Sequence, residues 1–360
     1  MAAVSRVRTI DAIRGVAVLV MIPLHLLLFG GGTGWDLSGG GTLSPFPVDM
    51  VPPLGTGLIL FFFITGMALA VTPIQRRGTH TVSRLTKGVV KRYGIYIFIG
   101  AAIQFLLIYL LQPVFGSSGA YQIPTDPVSI LQYIFGGGFL TLAQPIIGLS
   151  IGAIIAFPFI YRLSWRQLAS AALALAVTVW GVLSLVSVPD FFLLNLFFTD
   201  AFAVFKGLTT IFFGAALGKL MMEGRALDRK YVVAALTVVG AYVVIPSLLN
   251  GQPLHLALAM WSYPHAIAFI TALGVVSLGL FRHFDSSNAG FLAFTVLGRS
   301  SFAVYFGHFF LIIAIYAAFM MLGITASAGI VLAEMALSTS LIWGAAYYFS
   351  KRRWGHPSTW

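Results

Sequence analysis

The sequence has no cysteine among its 360 residues, and it carries few charges. The missing cysteines exclude disulfide bonds and a thiolate-ligated metal site. Charged residues make up only 9% of the chain and hydrophobic residues 59%, and the mean hydropathy is +0.96. A water-soluble domain with so few charges could not keep a hydrated surface. The composition therefore predicts an integral membrane protein.

Long apolar runs recur along the chain, and several reach the roughly 20 residues that cross a bilayer as a helix. We predict an all-α polytopic membrane bundle of about ten transmembrane helices, near 10–30, 52–74, 93–113, 139–161, 167–188, 200–221, 231–249, 257–281, 300–322 and 325–350. The segments 127–138 and 286–298 are too short to add spans and are interpreted as interfacial. No linker separates two domains, so residues 1–360 are expected to form one domain with a short basic tail at 351–360.

The net charge of +11 is distributed unevenly between alternate loops. If the N-terminus is cytoplasmic, the basic clusters all lie on that side: Arg6/Arg8, Arg76 to Arg92, Arg162/Arg166, Lys219 to Lys230, Arg282/Arg299 and Lys351 to Arg353. The opposite loops carry acidic residues and no Lys or Arg, and only Lys206 breaks the pattern. The positive-inside rule therefore predicts cytoplasmic N- and C-termini in the cell membrane. Because the cations cluster in these loops and the aromatic residues in apolar spans, nucleic-acid binding has no support.

The first predicted helix contains two ionisable residues, Arg14 and His25, and such groups are costly inside a bilayer. Eleven helical residues advance about 16 Å and rotate by about three turns, so both side chains share one face. Val18 and Met21 lie between them on that face. Arg14 is expected near the cytoplasmic boundary and His25 in the outer half. Val18 and Met21 either line a narrow apolar passage or simply pack.

Four stretches resemble the integral-membrane acyltransferase 3 family. The first is Arg14, ten intervening residues and His25, within the context IDAIRG. The others are the Phe61 to Gly66 stretch FFFITG, with Thr where the family usually has Ser, the basic Lys91-Arg92 pair, and LGRSSFAVYFGHFFLI from Leu297 to Ile312. The family belongs to a larger transmembrane acyltransferase superfamily that includes heparan-alpha-glucosaminide N-acetyltransferase.

The resemblance implies a specific reaction. Such enzymes move an acyl group, commonly acetyl, from a coenzyme A thioester on the cytoplasmic side to a hydroxyl or amine, usually of a carbohydrate beyond the membrane. The expected partners are therefore membrane lipid, acetyl-CoA as acyl donor and a carbohydrate-type acceptor. The family motifs carry over to Arg14 and His25, and the late Tyr-x-x-His pair to Tyr305 and His308. No metal is predicted, because the seven histidines show no metal-ligand spacing.

His25 has a clear chemical use in such a transfer. A hydroxyl is a poor nucleophile until a base removes its proton, and an imidazole, with an unperturbed pKa of about 6.5, can do so near neutral pH. We expect His25 to be this general base or a transient acyl carrier. The structural alternative is a core histidine hydrogen-bonded between helices.

Three arginines are expected at a similar cytoplasmic depth: Arg14, Arg92 and Arg299. A guanidinium matches the geometry of phosphate, so these residues could bind the phosphates of coenzyme A at the inner mouth of the protein. Arg14 is the first candidate. Its alternatives are snorkelling to the headgroups and an ion pair with Asp11, one turn earlier.

Three further ionisable residues are predicted within spans. Glu334 falls near the bilayer centre, where a charged carboxylate needs a partner, so it either orients a catalytic histidine or holds a helix contact. His308 is expected in the cytoplasmic half and His265 in the outer half. Each either lines the reaction pathway or packs with a hydrogen bond.

Three residues near the outer face are candidates for acceptor binding. Lys206 lies about two turns below the outer surface, where it either snorkels or contacts the acceptor. Trp35 and Asp36 lie in the glycine-rich loop that follows the His25 helix. They either form part of a sugar-binding mouth or belong to a flexible connection.

A second function class is also open. A secondary transporter would bind its substrate near the midplane, at interrupted helices, and prolines within the predicted spans offer candidate interruptions. However, transporters often contain internal repeats, and the two halves of this sequence show no convincing similarity. The sequence leaves the oligomeric state open.

Overall fold

A computed structural model of the chain describes residues 8–19, 21, 55–75, 81–115, 129, 143–185, 194–199, 203–226, 228–250, 263–281, 288–322 and 328–354. These residues are almost entirely helical, and no strand occurs among them. The all-α part of the prediction is confirmed.

Eleven α-helices are present in the described ranges. They are α1 (8–19), α2 (Gly55–Gln75), α3 (Val82–Phe115), α4 (Ala143–Arg162), α5 (Trp165–Leu185), α6 (Val204–Met222), α7 (Arg229–Asn250), α8 (Tyr263–Phe281), α9 (Ala289–Arg299), α10 (Ser301–Met321) and α11 (Ala328–Trp354). A short π-helix, Asn195–Thr199, precedes α6. Each of the ten predicted spans overlaps one of these helices. Within the described ranges, three helical stretches are long and apolar enough to cross a membrane: Val82–Leu106, Pro145–Arg162 and Val204–Met222.

Helix α3 begins eleven residues before its predicted start at 93, so that boundary was wrong. The Thr81 hydroxyl accepts a hydrogen bond from the Arg84 amide at 3.4 Å at this earlier start. Leu85, Val89 and Tyr93, spaced one turn apart, pack against the apolar core formed by α2, α4, α5 and α6. The basic residues lie on exposed positions of the same turns: Arg84, Lys87, Lys91 and Arg92. Packing of the apolar stripe explains why the helix extends into a basic segment.

The chain divides into two compact units, residues 62–226 and residues 1–61 with 227–360. The prediction of one domain stays a prediction. In the 62–226 unit, α2 and α6 approach closely at glycines. A Cβ on Gly66 would overlap the backbone of Ile211, and one on Gly214 would overlap the backbone of Phe63. The Gly66 of the FFFITG motif therefore serves this helix contact.

The turn between α4 and α5 is fixed by polar contacts. Ser164 precedes α5 and forms a capping box with Gln167: the Gln167 amide donates to Ser164 Oγ at 3.3 Å, and the Ser164 amide donates to Gln167 Oε1 at 2.9 Å. Lys219, near the end of α6, donates from Nζ to the backbone carbonyl of Leu163. The ammonium is thus held at the C-terminal end of α4, where a positive charge is favourable.

The other unit contains α1 and α7 to α11. Helix α9 packs on α11, where the rings of Phe294 and Trp343 lie 4.6 Å apart at their centroids. Helix α9 also contacts α1 closely, because a Cβ on Gly15 would overlap the backbone of Phe294. In the segment 286–298, predicted from the sequence to be interfacial, the described residues from Ala289 onward form a helix packed within this unit.

Candidate functional site

Helix α1 is buried on most sides. Ile13, Ala17, Val18 and Met21 are all buried. A helix that is surrounded in this way belongs to the interior of its unit, so a charge on it needs a partner. Val18 and Met21, two residues of the predicted face, are buried, which agrees equally with the lining of a passage and with plain packing.

Two arginines share one carboxylate at the start of α1. Arg14 Nη1 lies 3.3 Å from Asp11 Oδ1, and Arg299 Nε lies 3.1 Å from Asp11 Oδ2. The exposed fraction of the side chain is 12% for Asp11, 19% for Arg14 and 33% for Arg299. The group of three, called the Asp11 cluster below, carries one net positive charge in a partly buried position.

Arg299 is the last residue of helix α9, and the packing of this helix places it in the Asp11 cluster. The helix starts at the N-cap Asn288, whose side chain accepts the amide of Gly290 at 2.9 Å, and it ends at Arg299. Close to that end, a Cβ on Gly298 would overlap the backbone carbonyl of Asp11. The absence of a side chain at Gly298 lets the last turn of α9 lie directly on α1. From this position the side chain of Arg299 spans the distance to the Asp11 carboxylate.

Arg14 keeps much of its hydrogen-bonding capacity. A guanidinium has five N–H groups, and within the described part of the chain Arg14 uses one contact, to Asp11. A partly buried arginine with N–H groups to spare is well suited to bind an anion such as a phosphate, through short charge-assisted hydrogen bonds. The cluster can therefore bind an anionic group of a ligand.

Tyr305 and His308 are buried in the first two turns of α10. His308 Nδ1 lies 3.0 Å from the carbonyl oxygen of Val304, so Nδ1 carries the proton and donates it. In a neutral imidazole with this tautomer, the other nitrogen, Nε2, is the acceptor. The rings of Tyr305 and His308 meet edge to face, with centroids 6.0 Å apart. This geometry fixes the orientation of His308, and both of its predicted roles stay open.

The remaining candidates are distributed over the chain. Arg92 is exposed on α3, in the 62–226 unit. The other two predicted arginines, Arg14 and Arg299, contact Asp11. Lys206 is half-buried in the first turn of α6. His265 and Glu334 lie on α8 and α11, where the structure describes their backbone.

Three predicted residues, His25, Trp35 and Asp36, lie outside the described residues. Their roles stay predictions, as do those of the residues placed above.

Sequence reasoning missed the central position of Asp11. Its spacing from Arg14 indicated the pair, but the contact with Arg299, 288 residues away, depends on the fold. It also assigned Lys219 to the cytoplasmic end of a predicted span and gave no indication that its side chain is buried. A further group without a sequence signal is Ser338, one turn after Glu334 on α11. Its buried hydroxyl has no hydrogen-bond partner in the described ranges.

Comparison with known protein families identifies a match that covers most of the chain. The family model Acyl_transf_3, described as an acyltransferase domain, matches residues 7–349. This range includes Asp11, Arg14 and Arg299. Among curated proteins, none matches the chain.

Proposed function

Because the chain belongs to the acyltransferase 3 family and is a membrane acyltransferase, we propose that it uses cytoplasmic acyl-CoA as its donor. The acyl group is acetyl, and the acceptor is a hydroxyl or amine of a carbohydrate-type molecule on the extracytoplasmic side. The protein is placed in the cell membrane with several spans and with its basic loops in the cytoplasm.

The observation that carries the proposal is the Asp11 cluster. Coenzyme A carries a diphosphate and a 3′-phosphate, which together make it strongly anionic. Arg14 and Arg299 meet on one carboxylate and leave one net positive charge. Charge-assisted hydrogen bonds from these guanidiniums to phosphate would anchor the nucleotide end of the donor. Val18 and Met21 follow Arg14 on the face of the predicted first helix that also carries His25, so the thioester end would extend along that face.

The chemistry then proceeds at His25. The imidazole takes the proton of the acceptor hydroxyl or amine as that atom attacks the thioester carbonyl carbon. The bond between carbonyl carbon and sulfur breaks, and the sulfur leaves with the electron pair and receives the proton. In the two-step version, His25 itself attacks first and passes the acyl group to the acceptor. In both versions the products are the acylated acceptor and free coenzyme A.

The other candidates take supporting roles in this proposal. Arg92, Tyr305 and His308 belong to the donor side, and Glu334 orients the catalytic histidine. The acceptor side comprises His265, Lys206, Trp35 and Asp36. These assignments follow the predicted depths of the residues and agree with the direction of transfer.

The direct test is donor use by the purified protein. In lipid nanodiscs, the protein should bind acetyl-CoA and hydrolyse it slowly when no acceptor is present. Release of free thiol, followed with a thiol reagent, measures the reaction without background, because the chain has no cysteine. If the protein neither binds nor cleaves acetyl-CoA, the proposed donor is wrong.

A further inference from the structure

The geometry points to Asp11 as a positioning residue that holds Arg14 and Arg299 in the arrangement that binds the phosphates of the donor. This inference rests on the proposed function. It goes beyond it by assigning a role to a carboxylate that would not itself contact the donor.

The two oxygens of the Asp11 carboxylate contact two different arginines. Oδ1 accepts from Arg14 Nη1 at 3.3 Å, and Oδ2 accepts from Arg299 Nε at 3.1 Å. Arg299 makes its contact through Nε, the nitrogen nearest its aliphatic chain. One carboxylate thus fixes the spacing of two guanidiniums on two separate helices.

The three side chains of the Asp11 cluster differ in burial. Asp11 is the least exposed of the three side chains, at 12%, whereas Arg14 and Arg299 are exposed at 19% and 33%. A carboxylate that competed with the ligand would be the most accessible member. Here the acidic group is the least accessible of the three, as expected of an anchor and not of a group that contacts the ligand itself.

Asp11 is also held in place by contacts other than its ion pairs. Its backbone carbonyl is covered by the last turn of α9 at Gly298, and its side chain starts from a buried helix. Without the carboxylate, two like charges would remain side by side, and the repulsion would be relieved by rotation of the more exposed Arg299 toward water. A second guanidinium would then be lost from the site while the fold remained.

The test uses the full-length protein in nanodiscs and adenosine 3′,5′-bisphosphate, the nucleotide end of coenzyme A, as the probe. Dissociation constants are measured for wild type, Asp11→Asn, Asp11→Glu, Arg299→Gln and the double variant D11N/R299Q. We expect Asp11→Asn to weaken binding by about 10-fold or more, as loss of a charge-assisted contact does. Asp11→Glu, which keeps the charge, should recover most of the affinity.

The double variant shows whether Asp11 affects binding of the probe through Arg299. If Asp11 acts by holding Arg299, D11N/R299Q binds about as weakly as the weaker single variant, because residues in one network are not additive. If the fold-changes in dissociation constant of the two single variants multiply in the double variant, the inference is overturned. Wild-type affinity in Asp11→Asn would overturn it as well. Glu223→Gln is the matched control, since it removes an acidic group from an exposed ion pair with Arg225 at 3.9 Å, and it should bind as wild type.

Two further outcomes separate this inference from the proposed function. A wild-type protein that binds no probe refutes the coenzyme A donor, and the role of Asp11 falls with it. Wild-type binding that Asp11→Asn leaves unchanged refutes the role of Asp11 alone. If Asp11→Asn does not fold, as judged by size-exclusion chromatography, Arg299→Gln decides: wild-type affinity in that variant means that no second guanidinium is being positioned.

Discussion

Arg14 combines a position on a buried helix with a side chain that remains 19% exposed. Replacement by Gln removes the charge and the fork of N–H groups but keeps a polar side chain of similar length. We expect Arg14→Gln to raise the KM for acetyl-CoA by about 10-fold or more, the effect of losing a charge-assisted hydrogen bond, with a smaller change in kcat. Steady-state kinetics with varied donor measure this.

The matched control for Arg14 is Arg225→Gln, which removes an arginine whose side chain is 41% exposed in the ion pair with Glu223. Exposed ion pairs contribute little, so its KM should equal that of wild type. An unchanged donor KM in Arg14→Gln would remove this residue from the donor site.

His25 is predicted to perform the proton transfer itself. His25→Ala should lower kcat by about 10²- to 10⁴-fold, the usual contribution of a general base, and leave the dissociation constant for acetyl-CoA close to wild type. Turnover and donor binding are measured on the same nanodisc preparation. His356→Ala, in the basic C-terminal tail, is the control and should retain full activity. Turnover at the wild-type rate in His25→Ala would contradict the assignment.

Lys219 is a buried cation that donates to the Leu163 carbonyl, between α4 and α5. Replacement by Met keeps the aliphatic length and removes this hydrogen bond, leaving a carbonyl at the end of α4 without its donor. We expect the free energy of unfolding to fall by about 1–3 kcal/mol. Thermal unfolding in detergent detects this as a lower Tm.

The control for Lys219 is Lys230→Met, which removes an exposed lysine lying 5.1 Å from the ring centroid of Tyr231. Its Tm should stay near that of wild type. Equal Tm values for both variants and wild type would show that the Lys219 contact contributes no stability.

The contacts of individual residues differ in how well they can be predicted from the sequence. Asp11 and Arg14 are one turn apart, so their pairing follows from helix geometry alone. The contact of Arg299 with Asp11 requires the fold that brings α9 to α1. For Lys219, the alternation of basic loops indicated a cytoplasmic end of a helix but carried no information about burial. Sequence therefore predicted the candidates and left their partners undetermined.

Helices α1 and α9 are held together at glycines. Gly298→Ala would place a Cβ against the Asp11 backbone and push the last turn of α9 away from α1. We expect a lower Tm and weaker binding of acetyl-CoA, because Arg299 moves with that turn. Binding assays and thermal unfolding of the same sample measure both effects.

Gly307→Ala, in α10, is the control for Gly298, since a Cβ there meets nothing within 4 Å. Alanine is the better helix former, so this variant should be at least as stable as wild type. A Gly298→Ala protein with wild-type affinity and Tm would contradict the close-contact interpretation.

Hydropathy located helices well, because an apolar run of about 20 residues is itself the signal for a spanning helix. It did not predict the start of α3, where basic residues masked the stripe of Leu85, Val89 and Tyr93 that packs on the core. Nor could it show that α9, with only 11 residues, packs against α1 and α11. A short helix has no span signal, so its place is decided by packing.

The ten-span topology can be tested with introduced cysteines, since the wild-type chain has none. Gly34→Cys lies in a predicted outer loop and Gly78→Cys in a predicted inner loop. A membrane-impermeant maleimide applied to intact cells should label Gly34→Cys and should label Gly78→Cys only after permeabilisation. The positive-inside rule is the reason for this expectation.

The cysteine-free wild-type chain is the control for the labelling experiment and should remain unlabelled throughout. Labelling of Gly78→Cys in intact cells would invert the orientation, and with it the side from which the donor enters.

The length of α3 has a consequence for the lipid around the protein. Its 34 residues extend for about 51 Å, whereas the hydrocarbon layer is about 30 Å thick. If α3 crosses the bilayer, the helix must therefore tilt or project, and the projecting turns include the basic segment that starts at Arg84. A thicker bilayer would enclose more of this rod and bring its ammonium and guanidinium groups down to the lipid phosphates. A thinner bilayer would leave these groups exposed to water. Bilayer thickness would therefore set how strongly the N-terminal end of α3 binds the lipid headgroups.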